Sequence, residues 1–157
     1  MTQNINKPVS EQTGFMHAIF DNLSNVVCVV NADIEIVYFN QKFVETFGKQ
    51  SEHVIGKRFG VSVGCKGHEN NFADGICNNC KLRLSMQAAI ISEQNQEKES
   101  MVMEMNKESD EEIRLIQFQS NYLMHEDKKY AVVILNDLTN MGKETLKFIN
   151  EFYAAQD

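Results

Sequence analysis

Three cysteines stand close together in this chain, Cys65, Cys77 and Cys80, with a fourth, Cys28, far upstream. Only Asn78 and Asn79 separate Cys77 from Cys80. Two thiolates at that spacing can converge on one ion, and a third can return to it from a loop such as the one that begins at Cys65. The pair directly precedes a helical stripe of Leu82, Met86, Ala89 and Ile90. A helix N-terminus there favours thiolate over thiol. Three kinds of chemistry are open to these residues: a bound metal or cluster, a metal-free redox switch between Cys77 and Cys80, or a purely structural role. Cys28 lies among Val26, Val27, Val29 and Val30, and a cysteine in such a strand is a small core residue.

Other reactive side chains form no recognisable set. His17, His53 and His125 lie in polar or terminal contexts, as surface residues do. Met101, Met103 and Met105 alternate along one strand face; they suit a core, although methionine also adapts to a ligand. There is no phosphate-binding glycine loop and no zinc-protease motif, and no Ser-His-Asp set can be nominated from the sequence. No enzyme is expected from such a chain.

The elements that must position the cysteines are legible from periodicity. A helix capped at Ser10 carries Phe15, Met16, Ile19, Phe20 and Leu23. Val26 to Val30 is a buried strand, Asn31 to Asp33 a turn, and Ile34 to Phe39 a second strand. Asn40 caps a short helix with Phe43, Val44 and Phe47, stopped at Gly48, and Ser51 opens another turn that ends near Gly56. Residues 60–80, poor in apolar side chains, form a loop or insertion long enough to need a reason for order. After the helix at 81–94 come strands near 100–106, 112–122 and 129–135, then a helix over 140–153. This order gives an α+β fold: a five-stranded antiparallel sheet with helices on one face and a flanking helix at each end.

The chain is 157 residues long, with 43% apolar and 24% charged residues, as suits one soluble domain. A net charge of −7 argues against a broad nucleic-acid surface, which needs a basic stripe. No apolar run is long enough to span a bilayer. Residues 1–10 lack a secretory apolar segment, so a cytoplasmic address is expected and structural disulfides are disfavoured.

The order of elements resembles the PAS fold, and local residues agree. Ile34-Glu35-Ile36-Val37-Tyr38-Phe39-Asn40, followed by a Phe-rich helix, looks like the family's second strand and first short helix. Val54-Ile55-Gly56-Lys57 resembles the step after the next helix. Asn136-Asp137-Leu138-Thr139 resembles the Asp-Ile-Thr ending of the last strand, where the core passes its signal to an exit helix. The resemblance implies a sensory module with a flanking helix at 1–23, a PAS core at 24–139 with a cysteine insertion at 60–80, and an exit helix at 140–157.

A subset of PAS domains carries a cysteine motif before the crossover helix, and Gly64-Cys65 and Cys77-Asn78-Asn79-Cys80 match its ends. Asn71 stands where that motif has its second cysteine. Some PAS kinases hold an oxygen-labile iron–sulfur cluster between two Cys-x-x-Cys pairs; in that register His68 takes the place of the missing thiol. The resemblance therefore implies Cys65, Cys77, Cys80 and His68 as ligands of an iron–sulfur cluster or of zinc. The segment that sets a reactive cysteine under a flavin is not matched, and the crossover helix has no histidine for a haem. The resemblance also implies an effector or kinase partner. In the last helix, Leu138, Met141, Thr145, Phe148 and Phe152 recur at heptad spacing, with Gly142, Leu146, Ile149 and Tyr153 beside them. Such a face predicts a homodimer through both terminal helices, with packing on the chain's own sheet as the alternative.

Overall fold

The structure is a computed structural model that describes residues 9–48, 54–65, 80–106 and 111–156. Helix α1 spans Val9–Asp21. Strand β1, Val26–Val30, and strand β2, Ile36–Phe39, follow. Helices α2 (Gln41–Phe47) and α3 (Phe59–Val63) lead toward the cysteine segment. Helix α4 (Lys81–Ser92) leaves it for strands β3 (Glu99–Asn106), β4 (Glu111–His125) and β5 (Lys128–Asp137), and helix α5 (Thr139–Ala154) ends the described chain.

The five strands form one sheet in the order β2-β1-β5-β4-β3, with every neighbouring pair antiparallel. β-Branched residues fill β1 and β5 because both lie in the interior of the sheet, where such side chains pack well. Alternation decides which face is covered. Val26, Cys28 and Val30 on β1, Ala131, Val133 and Leu135 on β5, and Ile116, Phe118 and Ser120 on β4 are all buried. Helix α4 lays Leu82, Ser85, Met86, Ala89 and Ile90 onto that face. Ser85 and Ser120, both buried, satisfy each other through a 3.0 Å hydrogen bond between their hydroxyls. Phe43, Phe47 and Phe59 close the other end of the core, edge to face or tilted at 5.0–6.0 Å. Met103 and Met105 are buried in the same core, while Val102 between them is 60% exposed; the methionine stripe is core.

Two local expectations give way. Ser10 lies inside α1 at its second residue rather than before it. Strand β2 begins at Ile36, not at Ile34. Asn31 Oδ1 accepts the backbone N–H groups of Asp33 and Glu35, both at 3.0 Å, and this Asx geometry extends the turn. It places Ile34 at φ 63°, a costly conformation for a β-branched residue, and Ile34 holds it with its side chain buried in the core. Gly56, at φ 79°, does what an L-residue resists: its N–H reaches the Ile36 carbonyl at 2.8 Å, and the Ile36 N–H reaches Lys57 O at 2.8 Å. The Ser51 turn and His53 lie outside the described residues. No helix among those described is long and apolar enough to cross a membrane.

Candidate functional site

Cys65 and Cys80 are the two nominated ligands that fall among the described residues; Cys77, His68 and Asn71 fall outside them. Cys65 follows α3, whose last turn is closed by Gly64 in the left-handed conformation at φ 73°. The Cys65 N–H donates to the Gly60 carbonyl at 2.8 Å, and the residue makes an isolated antiparallel bridge to Met105 of β3. Cys80 occupies the N-cap position of α4, where the Leu84 N–H donates to its carbonyl at 2.9 Å. Both side chains are half-buried and pack against the hydrophobic core. The two ends of the cysteine segment are thus fastened to elements that build the core. No group of three or more His, Cys, Asp or Glu side chains suited to a metal ion occurs among the described residues. Cys28 is 1% exposed, and burial pushes its thiol pKa up to about 12. It is a core residue, as its valine neighbours imply.

A second cluster lies where β5 becomes α5. Arg114 of β4 pairs with Asp137 at 2.9 Å and rests over the Phe47 ring of α2 at 5.5 Å. Asp137 Oδ1 accepts the Thr139 N–H at 3.0 Å and the Thr139 hydroxyl as well. The Thr139 hydroxyl oxygen in turn accepts the Leu115 N–H at 3.0 Å, and the Leu138 N–H reaches the Leu115 carbonyl at 2.8 Å. The exit helix is therefore tied to β4 as well as to its own strand. Partial burial opposes the charge of Asp137, but the Thr139 donors and the Arg114 guanidinium outweigh it and hold the carboxyl below its ordinary pKa.

The entry side meets this junction. Asn40 is 1% exposed and uses its whole amide. Its Nδ2 donates to the carbonyls of Phe20 at 2.9 Å and Asn25 at 3.0 Å, and its Oδ1 accepts the N–H groups of Val27 at 3.0 Å and Phe43 at 3.2 Å. Asn25 then donates to Asn136 Oδ1 at 2.7 Å, one residue before Asp137. One hydrogen-bonded path joins the end of α1, the start of α2 and the exit of β5.

Strand order, the asparagine cap of α2, and an Asp-Leu-Thr exit locked to β4 come together in this one chain, and a family model of the PAS fold matches residues 14–66. The chain has the PAS fold. Solved PAS domains extend the likeness over the later strands. The PAS domain of a protein from Colwellia psychrerythraea superposes with a TM-score of 0.58 at 15% identity, covering 85% of this chain and 99% of that one. The PAS domain of Bordetella pertussis BvgS gives 0.56 at 14% identity over 92% and 98%. A PAS domain from a two-component sensor histidine kinase gives 0.55 at 10% identity over 83% and 99%. At such identities the likeness is one of fold. No curated protein matches the chain in sequence.

The sequence reading picked out Asn40 and the Asn136–Thr139 ending but missed Arg114, Asn25 and Ser85. Arg114 left one signal, a charged residue in register with Ile116 and Phe118 on the covered face of a strand. Asn25 left none, because its partner is 111 residues away.

Proposed function

We propose that this PAS domain is a signal-input module whose trigger is the cysteine segment 65–80 and whose output is helix α5. The observation that carries this reading is the anchoring of both described ends of the segment: Cys65 bridges to β3 and Cys80 opens α4. A change in the segment then acts on the sheet through two core elements, which is how a local event biases a two-state fold. The far end of that sheet is fastened to α5 through Arg114, Asp137, Thr139 and Leu115. No catalytic step is assigned to the domain.

Cys65, Cys77, Cys80 and His68 would hold a zinc ion or an iron–sulfur cluster, a donor set of thiolates and imidazole suited to either. A cluster would supply sensitivity to oxygen and redox state; without metal, Cys77 and Cys80 would supply it as a dithiol. The output passes to an effector or kinase partner, in keeping with the histidine-kinase origin of one similar PAS domain. The test is anaerobic purification with an absorption spectrum and metal analysis. Near-stoichiometric zinc, or iron with sulfide, lost in Cys77→Ser and Cys80→Ser, is the expected result, and Asn71→Cys should tighten retention. Metal-free protein after reconstitution, with reactivity unchanged between oxidised and reduced samples, would defeat both forms of the reading.

A second reading, a docking and dimerisation module with structural cysteines, is favoured by the flanking helices. On α1, Phe15, Met16 and Ile19 are exposed, and α5 buries no residue, with Phe148 69% and Tyr153 64% exposed. Gly142, whose position leaves only 3.4 Å for a Cβ against Leu115, marks how close the start of α5 lies to the sheet. The outer turns of that helix bring their apolar face to solvent, so packing on the chain's own sheet does not cover it. Homodimerisation through both terminal helices belongs to this reading and is compatible with the first.

A further inference from the structure

A cleft of about 570 Å³ opens at the junction between the entry strand, helix α2 and the exit helix. Its size is in the range that holds a small metabolite. In a chain with net charge −7, this cleft runs against the average: Lys42, Arg114 and Lys143 line it, against Glu45 and Asp137. Of the two carboxylates, Asp137 is firmly engaged and Glu45 only loosely. Asp137 is held by Arg114 and Thr139, and Glu45 stands 3.8 Å from Lys42, a loose exposed contact of small worth. Among the described residues no carboxylate pairs with Lys143. Two lysines from different helices thus face one hollow with cationic charge in excess, and Thr46 and Asn140 add neutral hydrogen-bonding groups to the lining.

We propose that this cleft binds a small polyanion bearing phosphate or carboxylate oxygens, held between Lys42 of α2 and Lys143 of α5. Such a ligand neutralises the excess charge and bridges a helix of the core to the exit helix. It therefore biases how α5 leaves the sheet, independently of any event at the cysteines. The inference does not rest on the metal or redox reading of residues 65–80.

The test is calorimetric titration of the full chain at low ionic strength with pyrophosphate and, separately, citrate. Saturable binding of either at one site per chain is expected, and the pair of probes tells phosphate from carboxylate preference. Lys42→Ala and Lys143→Ala should each weaken it about five- to tenfold, and Lys147→Ala, an exposed lysine of α5 paired with Glu151 and absent from the cleft lining, should leave it unchanged. All three lysines are exposed or half-exposed, so the variants should fold, and unchanged melting in the absence of ligand checks this. Failure of both probes to saturate, or equal weakening by all three substitutions, would overturn the proposal.

Discussion

Cys28 shows how the surroundings of a single residue decide whether its chemistry is used. The thiol lies between β-branched neighbours on an interior strand, and its pKa of about 12 keeps it protonated at any physiological pH. It should resist alkylation at pH 8 in the native protein and react only after unfolding, as thiol labelling with and without denaturant would record. Cys28→Ala should cost on the order of 1 kcal/mol in urea denaturation through lost volume, with metal content unchanged. Native labelling at the rate of an exposed thiol, or loss of metal in that variant, would instead place Cys28 in the sensing chemistry. Cys28 and Asn40 were both readable from sequence because their roles depend on near neighbours: a valine run for one, a helix start three residues on for the other. The four-ligand set was not readable in the same way, since convergence of Cys65, Cys77, Cys80 and His68 depends on the path of a long segment and not on spacing alone.

Among the elements, the joint between β5 and α5 is where physical coupling is most explicit. Its expected boundaries, strand to 135 and helix from 140, were close, because apolar alternation stops at Asn136 and helical spacing resumes after it. Its lock was not legible: Arg114 and Asp137 are 23 residues apart on neighbouring strands, and no local pattern pairs them. The lock carries a pH dependence of definite sign. The Asp137 pKa is lowered in the folded state, so its contribution to stability is full above the ordinary aspartate value of about 3.9 and is lost as pH falls through the lower folded value. Asp137→Asn should therefore reduce stability at pH 7 and flatten the acid limb of the stability profile, measured by urea denaturation from pH 7 to pH 3. An unchanged acid limb would mean that the pair contributes nothing to folding.

At the scale of the whole molecule, the flanking helices carry exposed apolar surface. Neither terminal helix finds enough apolar cover among the described residues: α1 rests Phe20 and His17 against Tyr38 at 5.7 and 5.4 Å, and the remainder of its stripe is exposed. The dimerisation reading therefore expects a homodimer that buries α1 and α5 together, with α5 alone too short, at about two heptads, to hold it. Light scattering should give a dimer at micromolar concentration for residues 1–157 and a weakened one for a chain ending at Asn140. A monomeric full chain would refute this assembly, and an undiminished dimer after truncation would move the interface to α1 or the sheet. The central claim, that an event at residues 65–80 reaches the exit helix through the sheet, is tested most directly by hydrogen exchange of backbone amides in anaerobically reduced and oxidised protein, followed by mass spectrometry. The account predicts that protection changes in β3, in α4 and in residues 139–154 together, and that Arg114→Ala removes the change in α5 while leaving that in β3; a change confined to the cysteine segment, with α5 exchanging identically in both states, would contradict it.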